Sequence, residues 1–145
     1  MLEYLKICRP DHWLKNVFIV FGHVVAWALA LNFQFDAALV WKAALSLVPA
    51  CLIASANYIL NEILDAPFDA VHPAKRLRGI PAGRVRVPVL WRLMAGLIIA
   101  AFVLCWFIGF NWAYQLALLL LLISGVAYNV PPLRLKDCAF LDVIA

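Results

Sequence analysis

The run Asn61-Glu62-Ile63-Leu64-Asp65-Ala66-Pro67-Phe68-Asp69 sets an amide and two carboxylates at four-residue intervals, and His72, Lys75, Arg76 and Arg78 follow closely. Side chains four residues apart share one face of a helix, with roughly 5–6 Å between their Cβ atoms. Magnesium favours such hard oxygens, usually one or two carboxylates completed by substrate phosphates and water. The pattern therefore points to a Mg2+ ion holding a diphosphate. Asn61, Asp65 and Asp69 are the candidate metal ligands, Asp65 and Asp69 the candidate catalytic carboxylates, and Lys75, Arg76 and Arg78 the candidate phosphate binders. Metal coordination withdraws charge from a diphosphate and makes it a better leaving group. The plainer alternative is that both aspartates form surface ion pairs with the cations that follow them.

The elements that must position these residues belong in lipid. Of 145 residues, 67% are hydrophobic and 14% charged, against roughly 45–50% and 25% in soluble domains. A span of the hydrocarbon core takes about 20 helical residues. Four segments qualify as spans: Val17 to Leu31, Ala38 to Leu60, Val89 to Phe110, and Trp112 to Tyr128. The first is short, carries His23, and needs its flanks Trp13 and Phe33 to cross. Gly109-Phe110-Asn111-Trp112 leaves room only for a tight turn, which predicts an antiparallel hairpin of the last two spans. Asp137 to Ala145 reads as the start of a fifth. The expected fold is all-α, a polytopic transmembrane helical bundle forming a single domain over residues 1–145.

All the Lys and Arg residues except Lys42 fall on one side of these spans. The positive-inside rule makes that side cytoplasmic and puts both termini there. The net charge of +4 is thus explained by topology and does not call for nucleic acid. Cys51 and Cys105 fall in spans, and Cys8 and Cys138 on the reducing side, so the cysteines imply neither disulfides nor a thiolate metal site. Pro67 removes a backbone donor and its ring crowds the carbonyl of Ile63. It predicts that the second span ends or kinks near Asp65, with Asp69 in the loop beyond. His23 and Asn57, polar residues inside spans, read as helix–helix hydrogen-bonding residues. Glu62 lies about 100° around the helix from Asn61 and is not required at the same site.

The stretch from Asn61 to Gly83, NEILDAPFDAVHPAKRLRGIPAG, resembles the first aspartate-rich motif of the UbiA superfamily of intramembrane prenyltransferases. That motif has Asn, Asp and Asp at four-residue intervals, a basic pair, and an Arg-x-x-Pro-x-Gly turn; Asn61, Asp65, Asp69, Lys75, Arg76, Arg78, Pro81 and Gly83 stand at those positions. Tyr128 to Lys136 is similar to a second segment, Tyr-Ser-x-Pro-Pro-x-Arg-x-Lys, with Asn129 in place of serine and Asp137 where another cation often follows. The resemblance implies that Tyr128, Arg134 and Lys136 bind near the diphosphate. Arg9-Pro10-Asp11-His12-Trp13-Leu14-Lys15-Asn16 looks like the opening of the decaprenyl-phosphate phosphoribosyltransferase branch, which adds Lys15 to the substrate-binding set. Alternatively, Trp13 and Lys15 simply anchor the chain at the interface.

The resemblance covers the amino-terminal half of such enzymes and implies a bacterial inner-membrane protein, Mg2+ as cofactor and a polyprenyl diphosphate or polyprenyl phosphate lipid as substrate. A second aspartate-rich motif is expected from a missing carboxy-terminal half or, in a homodimer, from a second copy of the first motif. The leading expectation is Mg-dependent UbiA-type prenyl transfer with loss of pyrophosphate. One alternative is phosphoribosyl transfer to a polyprenyl phosphate. Another, without catalysis, is a membrane scaffold or lipid-binding subunit whose basic loop meets anionic headgroups.

Overall fold

The computed structural model describes residues 2–31 and 37–137, and its helices are α1 (Leu2–Ile7), α2 (Phe18–Leu31), α3 (Ala37–Val71), α4 (Val87–Ile108) and α5 (Trp112–Asn129). Short 3-10 segments lie at Pro10–Val17, Lys75–Leu77 and Leu135–Asp137, and the regular elements among the described residues are all helical. Among the described residues three helices, α3, α4 and α5, are long and apolar enough to cross a membrane. The first expected span is realised as α2, only 14 residues long and preceded by the eight-residue 3-10 segment that begins at Pro10. The expected fifth span and Cys138 lie outside the described residues.

Helix α3 is the hub. It packs against α4 and α5, and receives α1, α2 and both flanking 3-10 segments as well. The chain reverses at Gly109 and Asn111, and α4 and α5 both pack on α3, where Ala101 and Cys105 share a buried cluster with Leu118 of α5. The turn itself is capped at both sides. Gly109 adopts φ 74°, and Phe110 N–H reaches back to the Cys105 carbonyl at 3.0 Å, a glycine-dependent helix ending. Asn111 then accepts from Tyr114 N–H at the start of α5.

Lipid supplies no hydrophobic drive between helices, so close approach through small residues carries the packing. Ser46, Ala50, Ser55 and Ala56 of α3 are buried, as are Ala101 and Cys105 of α4. Gly125 on α5 lets Asn57 in so closely that a Cβ there would stand 2.1 Å from the Asn57 side chain. Asn57 then donates to the Leu121 carbonyl, and His23 meets Ser46 at 3.4 Å. These are the helix–helix bonds expected of His23 and Asn57.

Helix α3 does not end near Asp65 as expected. α3 runs unbroken through Pro49 and Pro67 to Val71, so Asp69 belongs to the helix. A proline costs one backbone hydrogen bond, a loss membrane helices tolerate when neighbours hold the flanking turns. Here the turn after Pro67 is held by the Asp69 carboxylate, which Arg78 grips at 2.8 Å. At 35 residues the helix is about 52 Å long, well beyond the roughly 30 Å hydrocarbon core.

Candidate diphosphate and cation site

Four parts of the chain meet around the end of α3. The loop after α3 folds back through the Arg78–Asp69 pair. A buried cluster of Ile7, Cys8, Ile59, Val85 and Leu90 joins α1, α3 and the start of α4. The 3-10 segment from Pro10 docks by two polar links, Trp13 Nε1–H to Ser55 Oγ (3.0 Å) and His12 Nδ1 to Tyr58 OH (3.0 Å). Ser55 in turn donates to the Cys8 carbonyl at 2.8 Å. Burial pushes the Cys8 thiol up.

Between α3 and α5 lies a cavity of about 630 Å³ whose wall includes Arg9, Asn57, Asn61, Asp65, Tyr128 and Lys136. Asp65 Oδ1 accepts from Lys136 Nζ at 2.5 Å and stands 3.5 Å from Arg134 Nη2. Lys136 Nζ also donates to Asn61 Oδ1 at 3.0 Å and to Asn129 Oδ1 at 3.3 Å. Asn129 is buried, and its Nδ2 is committed to the Gly125 carbonyl, which fixes its oxygen toward the ammonium. Arg134 lies over the Phe68 ring, 4.7 Å from its centroid. Arg9 and Arg134 are the non-glycine residues with positive φ, 47° and 28°, among those described. Such backbone is costly away from glycine and tends to mark sites where a side chain must be aimed.

Asp69 is placed differently. Its side chain is only 5% exposed and engages Arg78 at 2.8 Å and Lys75 at 3.8 Å. Arg78 also stands 3.9 Å from Glu62, so Glu62 belongs with Asp69, not with Asn61. A smaller cavity of about 320 Å³ adjoins this cluster, lined in part by Lys6, Arg9, Glu62, Arg78 and Arg84. Arg76 is exposed on the loop.

Of the expected site residues, the structure gathers Asn61, Asp65, Arg134 and Lys136 around one carboxylate, with Tyr128 in the same wall. It collects Asp69, Lys75 and Arg78 in a second cluster. Lys15 is exposed and outside the cavity wall, whereas Arg9 and Asn16 from the same segment line it. Arg9 is stacked over Tyr58, 5.4 Å from the ring centroid. The clue to Arg9 was in the sequence, since Pro10 starts a helical segment and leaves Arg9 to turn the chain into it. Tyr58 gave no signal, being one more large residue on an apolar helix.

Among the described residues no group of three or more His, Cys, Asp and Glu side chains is placed to hold a metal. The oxygen set at Asp65 nevertheless fits a cation. Three oxygens, one carboxylate and two amides, already converge on one positive charge, the Lys136 ammonium, which stands in for an ion there. These are the hard donors magnesium selects.

Residues 18–145 match the sequence profile of the UbiA prenyltransferase family. Over 139 residues, 96% of the chain, it is 29% identical to decaprenyl-phosphate phosphoribosyltransferase of Mycolicibacterium smegmatis, covering 42% of that protein. It is 34% identical over 94 residues to the Corynebacterium glutamicum protein of the same name, with 65% of this chain and 27% of that one covered. The same-named protein of Mycobacterium tuberculosis is 35% identical over 81 residues, 56% of this chain and 26% of its own. The chain thus spans less than half the length of these relatives. With the profile matching most of its residues, it belongs to the UbiA prenyltransferase family.

Proposed function

We propose that this chain builds the donor-holding part of an inner-membrane transferase that moves a phosphoribosyl group onto a polyprenyl phosphate, with diphosphate as leaving group. The observation that carries this reading is the chemistry of the large cavity. Asn16, Asn57, Asn61, Ser124 and Asn129 contribute to its wall together with Tyr58 and Tyr128, a lining suited to a hydroxylated, phosphorylated sugar. Prenyl transfer places its developing cation against aromatic faces. Of the described residues that line the cavity, only Tyr58 and Tyr128 are aromatic, and Trp106 and Phe107 on α4 are each 73% exposed. The named activity of the mycobacterial and corynebacterial relatives agrees with the sugar-phosphate reading.

In this reading Asn61 and Asp65 hold Mg2+. Asp69, one turn on, joins them when the donor's diphosphate draws Arg78 and Lys75 off its carboxylate. When bound, the ion supplies charge withdrawal from the departing diphosphate. Arg134 and Arg9 hold the phosphate oxygens from two sides of the cavity, Arg76 attracts the donor from the loop, and Tyr128 orients the sugar. The apolar groove formed by Pro10, Trp13, Leu14, Leu47, Val48 and Cys51 meets the cavity at the Asn16–Cys51 contact of 3.2 Å and takes the isoprenoid chain. The cation-rich end faces the cytoplasm with both termini, as the positive-inside rule directs. Further carboxylates facing Asp65 come from additional chain or from a second copy.

Calorimetry on the protein in nanodiscs tests this. Phosphoribosyl diphosphate with Mg2+ is expected to bind, and Asp65→Asn to abolish that binding. Asp65-dependent binding of a prenyl diphosphate instead would transfer the reading to prenyl transfer. Lipid binding alone, indifferent to Asp65, would leave a non-catalytic lipid-binding subunit. Association of two differently tagged copies in mild detergent decides whether a second copy supplies the facing wall.

A further inference from the structure

The ammonium of Lys136 has three hydrogens, and three oxygens take them: Asp65 Oδ1 at 2.5 Å, Asn61 Oδ1 at 3.0 Å and Asn129 Oδ1 at 3.3 Å. A lysine has no further donor to offer. The side chain is 12% exposed and its ammonium is held by these partners at the cavity wall. Lys136 therefore cannot hold a phosphate from this position. The two roles that fall to this end of the chain, a cation site at Asn61 and Asp65 and a lysine for phosphate, exclude each other while the ammonium stays where it is.

We infer that Lys136 is a tethered counter-cation that closes the Asn61–Asp65–Asn129 oxygen cradle to divalent cations until a diphosphate draws its ammonium away. The inference rests on the reading of this cradle as a metal–diphosphate site. Its physical basis is charge exclusion. A dication and an ammonium placed on the same three oxygens repel at contact distance, and in a partly buried site that repulsion is poorly screened. A diphosphate removes the conflict by giving the ammonium new oxygens. Asn129 contributes by geometry, because its amide nitrogen is fixed on the Gly125 carbonyl at 2.9 Å and its oxygen can only face the ammonium. Linkage then requires that diphosphate raise metal affinity and that metal raise diphosphate affinity by the same factor. Neither ligand alone opens the cradle efficiently.

Mn2+ binding, read by electron paramagnetic resonance on the protein in nanodiscs, separates this inference from the reading beneath it. Without pyrophosphate, Lys136→Met is expected to bind Mn2+ at least about tenfold more tightly than the unmodified protein, about 1.4 kcal/mol. Asp65→Asn should lose binding. Inorganic pyrophosphate should strengthen Mn2+ binding strongly in the unmodified protein and much less in Lys136→Met. If Lys136→Met binds Mn2+ no better, or worse, while Asp65→Asn loses it, the tethered-cation inference fails and the metal site stands. If no form binds Mn2+ with or without pyrophosphate, the metal site fails and the inference with it. A second measurement needs no variant: acetylation of Lys136 in the unmodified protein, followed by mass spectrometry, should stay slow with Mg2+ or pyrophosphate alone and accelerate several-fold with both. An unchanged rate overturns the inference.

Discussion

Asp65 and Asp69 are the same residue type one helical turn apart, yet they live in different surroundings. Asp65 is 24% exposed, faces a large cavity, and draws its cations from the far end of the chain, Arg134 and Lys136. Asp69 is nearly buried and draws its cations from the loop that follows it directly, Lys75 and Arg78. The two amide oxygens beside Asp65 have no counterpart at Asp69, whose acidic neighbour Glu62 shares the same arginine. An aspartate pair that looks symmetric in sequence is thus divided between a cradle around the Lys136 ammonium and a latch that folds the basic loop onto α3.

The sharpest way to break this division is to remove each charge separately. Asp65→Asn keeps the shape of the cradle and deletes its only carboxylate. Affinity for Mg2+–phosphoribosyl diphosphate should fall at least about 100-fold, or about 2.7 kcal/mol, with thermal stability in nanodiscs nearly unchanged. A loss smaller than threefold would sink the assignment. Asp69→Asn should act first on folding, with a smaller loss of affinity because Asp69 joins the metal only after the latch opens. Arg78 loses its close partner and retains only the more distant Glu62, so the protein should be destabilised by about 1–3 kcal/mol, seen as a lower thermal midpoint. Adding Arg78→Gln to Asp69→Asn should cost less than the sum of the single changes, because both remove one contact. Strict additivity would show that the latch is not a unit.

A third change reaches the Asp65 side through packing. Gly125→Ala places a methyl group within 2.1 Å of the Asn57 side chain, which must move or push α5 off α3. Overpacking of this kind costs about 1–3 kcal/mol. The cavity between α3 and α5, and with it donor binding, should suffer before the Asp69 cluster does. Hydrogen exchange across the loop holding Lys75 and Arg78 should stay as slow as in the unmodified protein. Faster exchange there would mean that the two regions are mechanically one.

The apolar runs, the one-sided cations and the turn at Gly109 made the membrane bundle legible in the sequence, because each follows from lipid as solvent. The end of α3 was misread at Pro67, since the rule that proline ends a helix weighs local cost and cannot see Arg78 holding the next turn nine residues later. Asn61, Asp65, Arg134 and Lys136 were each visible as candidates. Their convergence was not, because Lys136 reaches Asp65 across 71 residues of sequence and only the return of α5 along α3 brings it there. Asn129 was noted solely as a departure from serine. Its role as the third oxygen around Lys136 depends on an amide orientation set by the Gly125 carbonyl.

Arg9 is where the two regions touch, since it lines both the large cavity beside Asp65 and the smaller one beside Glu62 and Arg78. Its backbone sits at φ 47° and its guanidinium lies over Tyr58, so both the chain path and an aromatic face aim it. Lys15, six residues later, is exposed away from both. Arg9→Gln should therefore weaken donor binding by about tenfold, the scale of a lost charge-assisted contact to phosphate. Arg9→Lys should recover only part of this, because an ammonium lacks the planar fork and stacks less well on the tyrosine. Lys15→Ala should stay within twofold of the unmodified protein. The reverse order, Lys15 costly and Arg9 neutral, would show that the 3-10 segment presents its other face to the donor.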